Sequence, residues 1–262
     1  MWRTDRVRDI IPDVLSGVAG KSPDVQGIPV GVGDTAFNVY RGEFTAVLAS
    51  SQTGITAFLL TMAVHAAVRQ DIPCLYFTMD LSKEILVQRM LCLYGGISFP
   101  LSLGPDIFPL LTGAAGALSE GPVYIQDGTP ELDQVEKIIR GVVTTNKAQL
   151  ILIDTIDDVG GCYHADQRSL RGKREKVCAR LRMLAASLNV GIVGVMRASR
   201  LAQEEGDIAR FSDNVAHFYA GEASETREIE FIKQKGAVRL GRSRLAFDPR
   251  SLRCSFVGEE WR

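Results

Sequence analysis

An α/β fold is predicted, with a mostly parallel central sheet flanked by helices and antiparallel strands at one edge. Three observations predict it. Short apolar runs alternate with helical stretches; a strand at Phe44-Thr-Ala-Val-Leu48 leads through a polar loop into an apolar helix; and after Ser224 strands follow one another. Strands that are apolar throughout are buried on both faces, and such burial requires helices above and below a parallel sheet.

In chain order, the first stretch carries apolar residues at Val7, Ile10, Ile11, Val14, Leu15 and Val18, which is helical spacing. Pro12 is tolerated best in a first turn, so the firm part of this helix starts there and ends near Gly20. The segment Lys21-Ser-Pro-Asp-Val-Gln-Gly27 separates it from the body, giving a linker or docking helix over 1–20 and a domain over 21–262. A tethered amphipathic helix must bury its stripe, either by folding back or by docking on a neighbouring subunit. Further strands are expected at 74–79, 122–126, 150–154, 190–196, 228–233 and 244–247, with helices at about 55–69, 82–94, 130–145 and 173–188. The Pro- and Gly-rich run over 95–122 reads as a surface excursion containing a short helix.

Bulk properties narrow the function classes. The chain has 262 residues, 46% of them hydrophobic, enough for a single α/β domain with a large core. Net charge is −1, so nucleic-acid binding would rest on local clusters. No apolar run reaches the roughly 18 residues of a membrane span, and the charged N-terminus does not resemble a secretion signal. Five scattered cysteines without a CxxC pair fit reduced thiols in a cytoplasmic protein.

The chemistry concentrates at Ala49-Ser50-Ser51-Gln52-Thr53-Gly54-Ile55-Thr56. A phosphate-binding loop has a small residue, four variable ones, then Gly-Lys-Ser/Thr between a strand and a helix. The glycine and the hydroxyl are present, whereas Ile55 stands where the pattern has lysine. In such a site Thr56 offers its hydroxyl to a magnesium ion, and a carboxylate at the end of another strand completes the metal position. Leu150-Ile-Leu-Ile-Asp154 supplies that carboxylate, and Asp80, after Tyr76-Phe-Thr-Met79, can orient water.

With these residues in place the chain resembles the C-terminal motor domain of DnaB-type replicative helicases, which has the RecA-like P-loop fold. The likeness is carried by Gly27-Ile-Pro-Val-Gly31, Phe77-Thr-Met-Asp80-Leu-Ser-Lys-Glu84, Gln88-Arg89-Met-Leu-Cys92 and Val123-Tyr-Ile-Gln-Asp127. It continues through Asp154, Leu184-Ala-Ala-Ser-Leu-Asn-Val190, Glu230-Phe-Ile-Lys-Gln-Lys235 and Leu245-Ala-Phe-Asp248. The resemblance implies ATP or another nucleotide with Mg, cradled by Ser50, Ser51, Gln52, Thr53, Gly54, Ile55 and Thr56, with Thr56 and Asp154 at the metal. It implies a catalytic role for Asp80, matching the family's glutamate, and for Lys233 and Lys235, matching a Lys-x-Arg finger that reaches a neighbour's γ-phosphate. Arg197 falls where the family has a phosphate-sensing glutamine. The resemblance also implies a ring or helical homo-oligomer joined through the N-terminal helix.

The departures fall on the chemistry. Ile55, Lys235, Asp80 and Arg197 each replace the family's residue. Loss of one donor to developing charge costs ~3–4 kcal/mol, and loss of an arginine finger about 10³–10⁵ in rate. Weak or absent ATP turnover is expected, and Arg197 is either a cation relocated from the loop that preserves binding or a drifted surface or ion-paired residue.

From Arg168 to Arg182 stand seven basic residues against one acid, Glu175. Arg168, Arg171, Lys173 and Arg174 follow the loop after the Asp154 strand, and in the related helicases that region holds single-stranded DNA. Such density suits phosphate contacts, or alternatively a solvated helix face with salt bridges. Three readings follow. One is an oligomeric single-stranded-DNA-binding or helicase-associated component of replication with a degenerate nucleotide site. A second is an active ATP-dependent helicase with a compensated loop. The third is an interaction module that joins or inhibits a replicative helicase ring.

Overall fold

The computed structural model describes residues 27–31, 37–102, 104–160, 167–198, 208–235 and 242–256. The expected linker helix over 1–20 lies outside them.

Among the described residues the strands form one nine-stranded sheet. In chain order they are β1 (Phe44–Ala49), β2 (Cys74–Thr78), β3 (Val123–Asp127), β4 (Leu150–Asp154) and β5 (Gly191–Arg197). β6 (Asn214–Ala220), β7 (Thr226–Lys233), β8 (Arg242–Asp248) and β9 (Arg253–Phe256) complete it. The order across the sheet is β3-β2-β4-β5-β1-β6-β7-β8-β9. The strands from β3 to β6 run parallel and the β6-β7-β8-β9 pairs antiparallel. The apolar runs of β1, β2 and β4 are fully buried along nearly their whole length, as two-sided cover by helices requires.

The helices are α1 (Ile55–Val64), α2 (Lys83–Gly95), α3 (Phe108–Glu120), α4 (Leu132–Asn146) and α5 (Gln167–Leu188). α1 continues as a π-helical turn, His65–Arg69. One core layer joins α1 and α2 to the sheet through Phe58, Leu59, Met62, Leu86 and Leu93. The opposite layer joins α4 and α5 through Val135, Ile139, Leu181 and Leu184. Gly31 lies against His65: its φ is +69°, and a Cβ there would fall 2.3 Å from the imidazole. That contact ties the start of the domain to the end of α1.

Two strands were not expected from sequence. β6 opens on Asn214 and is interrupted by His217, and β9 is only four residues long, so neither shows a clean apolar run. β6 pairs parallel with β1, and the antiparallel edge begins with β7 at Thr226, where the run of strands after Ser224 places it. The excursion after Gly95 is more ordered than expected, with α3 spanning 13 residues beside α2. The helix expected at 173–188 starts at Gln167.

Candidate nucleotide pocket

The phosphate-type loop leaves β1 at the C-terminal end of the parallel strands, where ligands of open α/β sheets bind. Its backbone turns through two left-handed residues, Gln52 at φ +64° and Gly54 at φ +85°. Such turns gather backbone N–H groups into an anion-binding concavity. Thr53 is buried and donates its hydroxyl to the Ser50 carbonyl at 2.8 Å, bracing the loop from inside. Ser50, Ser51 and Gln52 remain exposed. Among the described residues no side chain caps the start of α1, which leaves its first N–H groups to a ligand.

Arg227 reaches in from β7 and grips this loop. Its guanidinium donates to the carbonyls of Thr53, Ser224 and Thr226 and lies 4.1 Å from the centre of the Phe247 ring. Beside that ring Gln52, Gly54, Ile55, Thr56 and Arg89 line a pocket of about 290 Å³.

The two residues expected at a metal ion, Thr56 and Asp154, meet in the structure. Thr56 donates its hydroxyl to Asp154 Oδ2 at 2.8 Å, and Tyr76 donates its phenol to the same oxygen at 3.0 Å. Burial pushes the Asp154 carboxyl above its usual range, while the two hydroxyls pull it down. Tyr76 is itself wholly buried, and burial with the nearby Asp154 charge raises its phenol well above the ordinary value. A hydroxyl and a carboxylate so joined are the two protein groups a Mg²⁺ ion takes beside nucleotide phosphates.

The charge side differs. Ile55 presents an aliphatic chain to the pocket. Arg197, beside Ala49 in the β1–β5 register, donates through Nη2 to Asp158 Oδ2 at 3.0 Å and stands 3.9 Å from Asp80. Its charge is therefore shared with two carboxylates. Asp158 is buried, and desolvation raises its carboxyl while Arg197 opposes the shift. Asp80 itself is exposed, following β2.

Lys233 and Lys235 stand at the other end of the sheet. Lys233 pairs with Val215, which faces Ala46 near the start of β1, whereas the loop follows Ala49. The Lys233 ammonium donates to the carbonyls of Ala209 and Ser212 at 2.5 Å each, and burial lowers its pKa. Lys235 lies 3.5 Å from Glu43 and 3.8 Å from Asp213. Neither lysine reaches its own chain's loop.

Of the basic residues proposed for DNA, Arg174 is not available for that contact. It is buried, with Nε on Asp157 Oδ1 at 2.7 Å and Nη2 on Asp157 Oδ2 at 2.9 Å, because the buried Asp157 carboxylate needs a full counterion. Lys173 donates to the Asp157 carbonyl at 3.1 Å, and Arg171 pairs with Glu175 at 3.2 Å. Arg168 lies in α5, and its side chain is outside the described residues. Arg180 is held by Asp133 and Glu136, and Arg182 by Asp213.

A family model for the DnaB-like helicase C terminal domain matches residues 34–213, more than half of the chain. The chain belongs to the DnaB-like helicase C-terminal domain family. It is 25% identical to the replicative DNA helicase DnaB of Geobacillus stearothermophilus, over 92% of this chain and 60% of that protein. With DnaB of Treponema pallidum the identity is 27%, over 79% of this chain and 49% of the relative. The chain thus spans about half the length of these DnaB relatives. A solved DnaB-like replicative helicase, described with its interactions with primase, superposes with a TM-score of 0.80 at 17% identity, covering 97% of this chain and 68% of that one. The fold is that of a DnaB-like, RecA-type helicase domain, with a mostly parallel sheet and antiparallel edge strands.

Tyr76, Arg89, Arg227 and the Asp157–Arg174 pair were not singled out from sequence. Tyr76 had a signal, a polar tip inside an otherwise apolar strand. Arg227 had none, because its partners are backbone carbonyls, and the one in the loop, Thr53, is distant in sequence.

Proposed function

We propose that this DnaB-type domain is an oligomeric, helicase-associated component of DNA replication whose pocket binds nucleotide with Mg and turns it over weakly or not at all. The observation that carries this reading is the split within the pocket. Thr56 and Asp154 meet at 2.8 Å, while Ile55 is aliphatic and the Arg197 charge is shared with Asp158 and Asp80.

The work each group does follows from that geometry. The loop N–H groups and the α1 terminus hold phosphate oxygens, and Thr56 and Asp154 would hold the ion, which neutralises phosphate charge when bound. Asp80 would accept a hydrogen bond from water. Development of negative charge on the transferring phosphoryl group meets no loop lysine, so the barrier stays high by ~3–4 kcal/mol for that donor alone. Lys233 and Lys235, remote from their own loop, suit a site completed between copies. Neither has the planar fork of arginine that grips phosphate at two points.

The pairing of Arg171, Arg174, Arg180 and Arg182 with acids of the same chain favours the helicase-associated role over direct binding of single-stranded DNA. ATP hydrolysis measured with and without single-stranded DNA tests the proposal. The expected result is turnover at or near background in both, with MgATP binding retained. Robust DNA-stimulated turnover would establish the compensated-helicase reading instead.

A further inference from the structure

Along the C-terminal edge of the parallel strands, Asp80 follows β2, Asp154 ends β4, Arg197 ends β5 and the phosphate-type loop leaves β1. The Arg197 backbone is clamped from behind. Its N–H donates to Asp157 Oδ2 at 2.8 Å, and its carbonyl accepts from Arg174 Nη2 at 2.9 Å. Arg174 neutralises Asp157, so the Arg197 side chain is left to Asp158 and Asp80. Its guanidinium lies 3.0 Å from Asp158 Oδ2 and 3.9 Å from Asp80 Oδ2. Among the described residues no other cation pairs with either carboxylate, so this trio carries an excess of negative charge. Asp80 also stands close enough that its charge pushes up the carboxyls of Asp154 and Asp158.

We propose that the pocket takes a nucleoside diphosphate with Mg in preference to the triphosphate, and that Asp158 and Asp80 set this choice. The inference rests on the nucleotide reading of the pocket and names its ligand class. Two phosphates find what they need there. The left-handed turn at Gly54 and the start of α1 offer N–H groups, and Thr56 with Asp154 offers the ion its place. A third phosphate is the one that a loop lysine helps to hold, and Ile55 gives it nothing. Beyond the Thr56–Asp154 pair stands Asp80, joined across the end of β4 to Arg197 and Asp158. The third phosphate therefore meets charge of its own sign. Repulsion of this kind grows where water is excluded, and Asp158 is only 1% exposed. Arg197 answers the third phosphate only by leaving Asp158, and a buried carboxylate stripped of its partner is costly. The site thus reads the length of the phosphate chain.

Calorimetric titration of the full chain with MgADP and with MgATP tests this. Wild type should bind MgADP at least about tenfold tighter than MgATP. Asp158→Asn keeps the side-chain shape, removes one charge and releases Arg197. It should raise MgATP affinity by about tenfold and MgADP affinity by less than about threefold. Adding Arg197→Ala should cancel most of that gain, which loss of the carboxylate charge alone would not do. If Asp158→Asn does not fold, Asp80→Asn, at an exposed position, removes the other carboxylate and should shift the preference in the same direction. Wild-type affinity for MgATP equal to or above that for MgADP overturns the proposal and leaves the nucleotide reading of the pocket standing. An equal gain for both nucleotides in the asparagine variant overturns it too. Binding of neither nucleotide by wild type removes the nucleotide reading along with the proposal.

Discussion

The hydroxyl of Thr56, in the first turn of α1, donates to the carboxylate of Asp154 at the end of β4 across 2.8 Å. This bond joins the phosphate-type loop to the far side of the pocket, over a carboxylate that burial holds above its ordinary value of 3.8. The sign of its contribution follows. Between 3.8 and the raised native value, the folded state keeps a proton that the unfolded chain has released. Stability therefore falls as pH rises through that window, and the cost is fully present above it. Asp154→Asn, which keeps an acceptor for the hydroxyl, should be at least as stable as wild type near neutral pH. The difference between the two proteins should shrink toward about pH 4. Urea denaturation of both across about pH 4 to 8 checks this, and a variant less stable at every pH would contradict it.

Tyr76 is the second donor to the same Asp154 oxygen, at 3.0 Å. Removing its hydroxyl leaves a buried carboxylate with one hydrogen bond fewer. Tyr76→Phe should cost about 1–3 kcal/mol near neutral pH, and less at low pH, where the carboxyl is protonated. A pH-independent loss would mean that the phenol matters through packing alone.

The sheet was legible because two-sided burial makes β1, β2 and β4 apolar without interruption, and the loop because its glycine and hydroxyl follow a strand. The Thr56–Asp154 contact was legible for the same reason: Asp154 ends an apolar run. The remainder depends on pairings between segments far apart in sequence. Nothing in Arg174 distinguishes it from Arg171, yet one is buried on Asp157 and the other pairs with Glu175 in its own helix. β6 is a parallel strand only because β1 lies beside it, and its own residues carry weak periodicity. A dense run of basic residues reads as a surface, whereas here several of its members bind the chain's own carboxylates.

The contrast within α5 gives a direct test. Arg174 is 5% exposed and doubly bonded to Asp157, so truncation strands a buried carboxylate. Arg174→Ala should destabilise the domain by about 3–5 kcal/mol. Lys176→Ala, at an exposed position of the same helix, should stay within about 0.5 kcal/mol of wild type. Chemical denaturation of both variants decides the matter, and similar midpoints would refute the burial argument.

Gly54 is the position where the loop tolerates least. Its φ of +85° is left-handed, and a Cβ would meet the Phe247 ring at 3.3 Å, beside the Arg227 side chain that grips the loop. Gly54→Ala should cost about 1–2 kcal/mol from backbone strain alone, before the ring is displaced. It should also abolish tripolyphosphate binding, because the turn that gathers the N–H groups cannot close. Gly113→Ala is the matched control: it lies within α3 with open space around its added methyl. There alanine should stabilise by about 0.5–1 kcal/mol and leave ligand binding unchanged. Opposite signs in thermal unfolding, with binding lost only in the first variant, would tie the phosphate site to the left-handed conformation of Gly54.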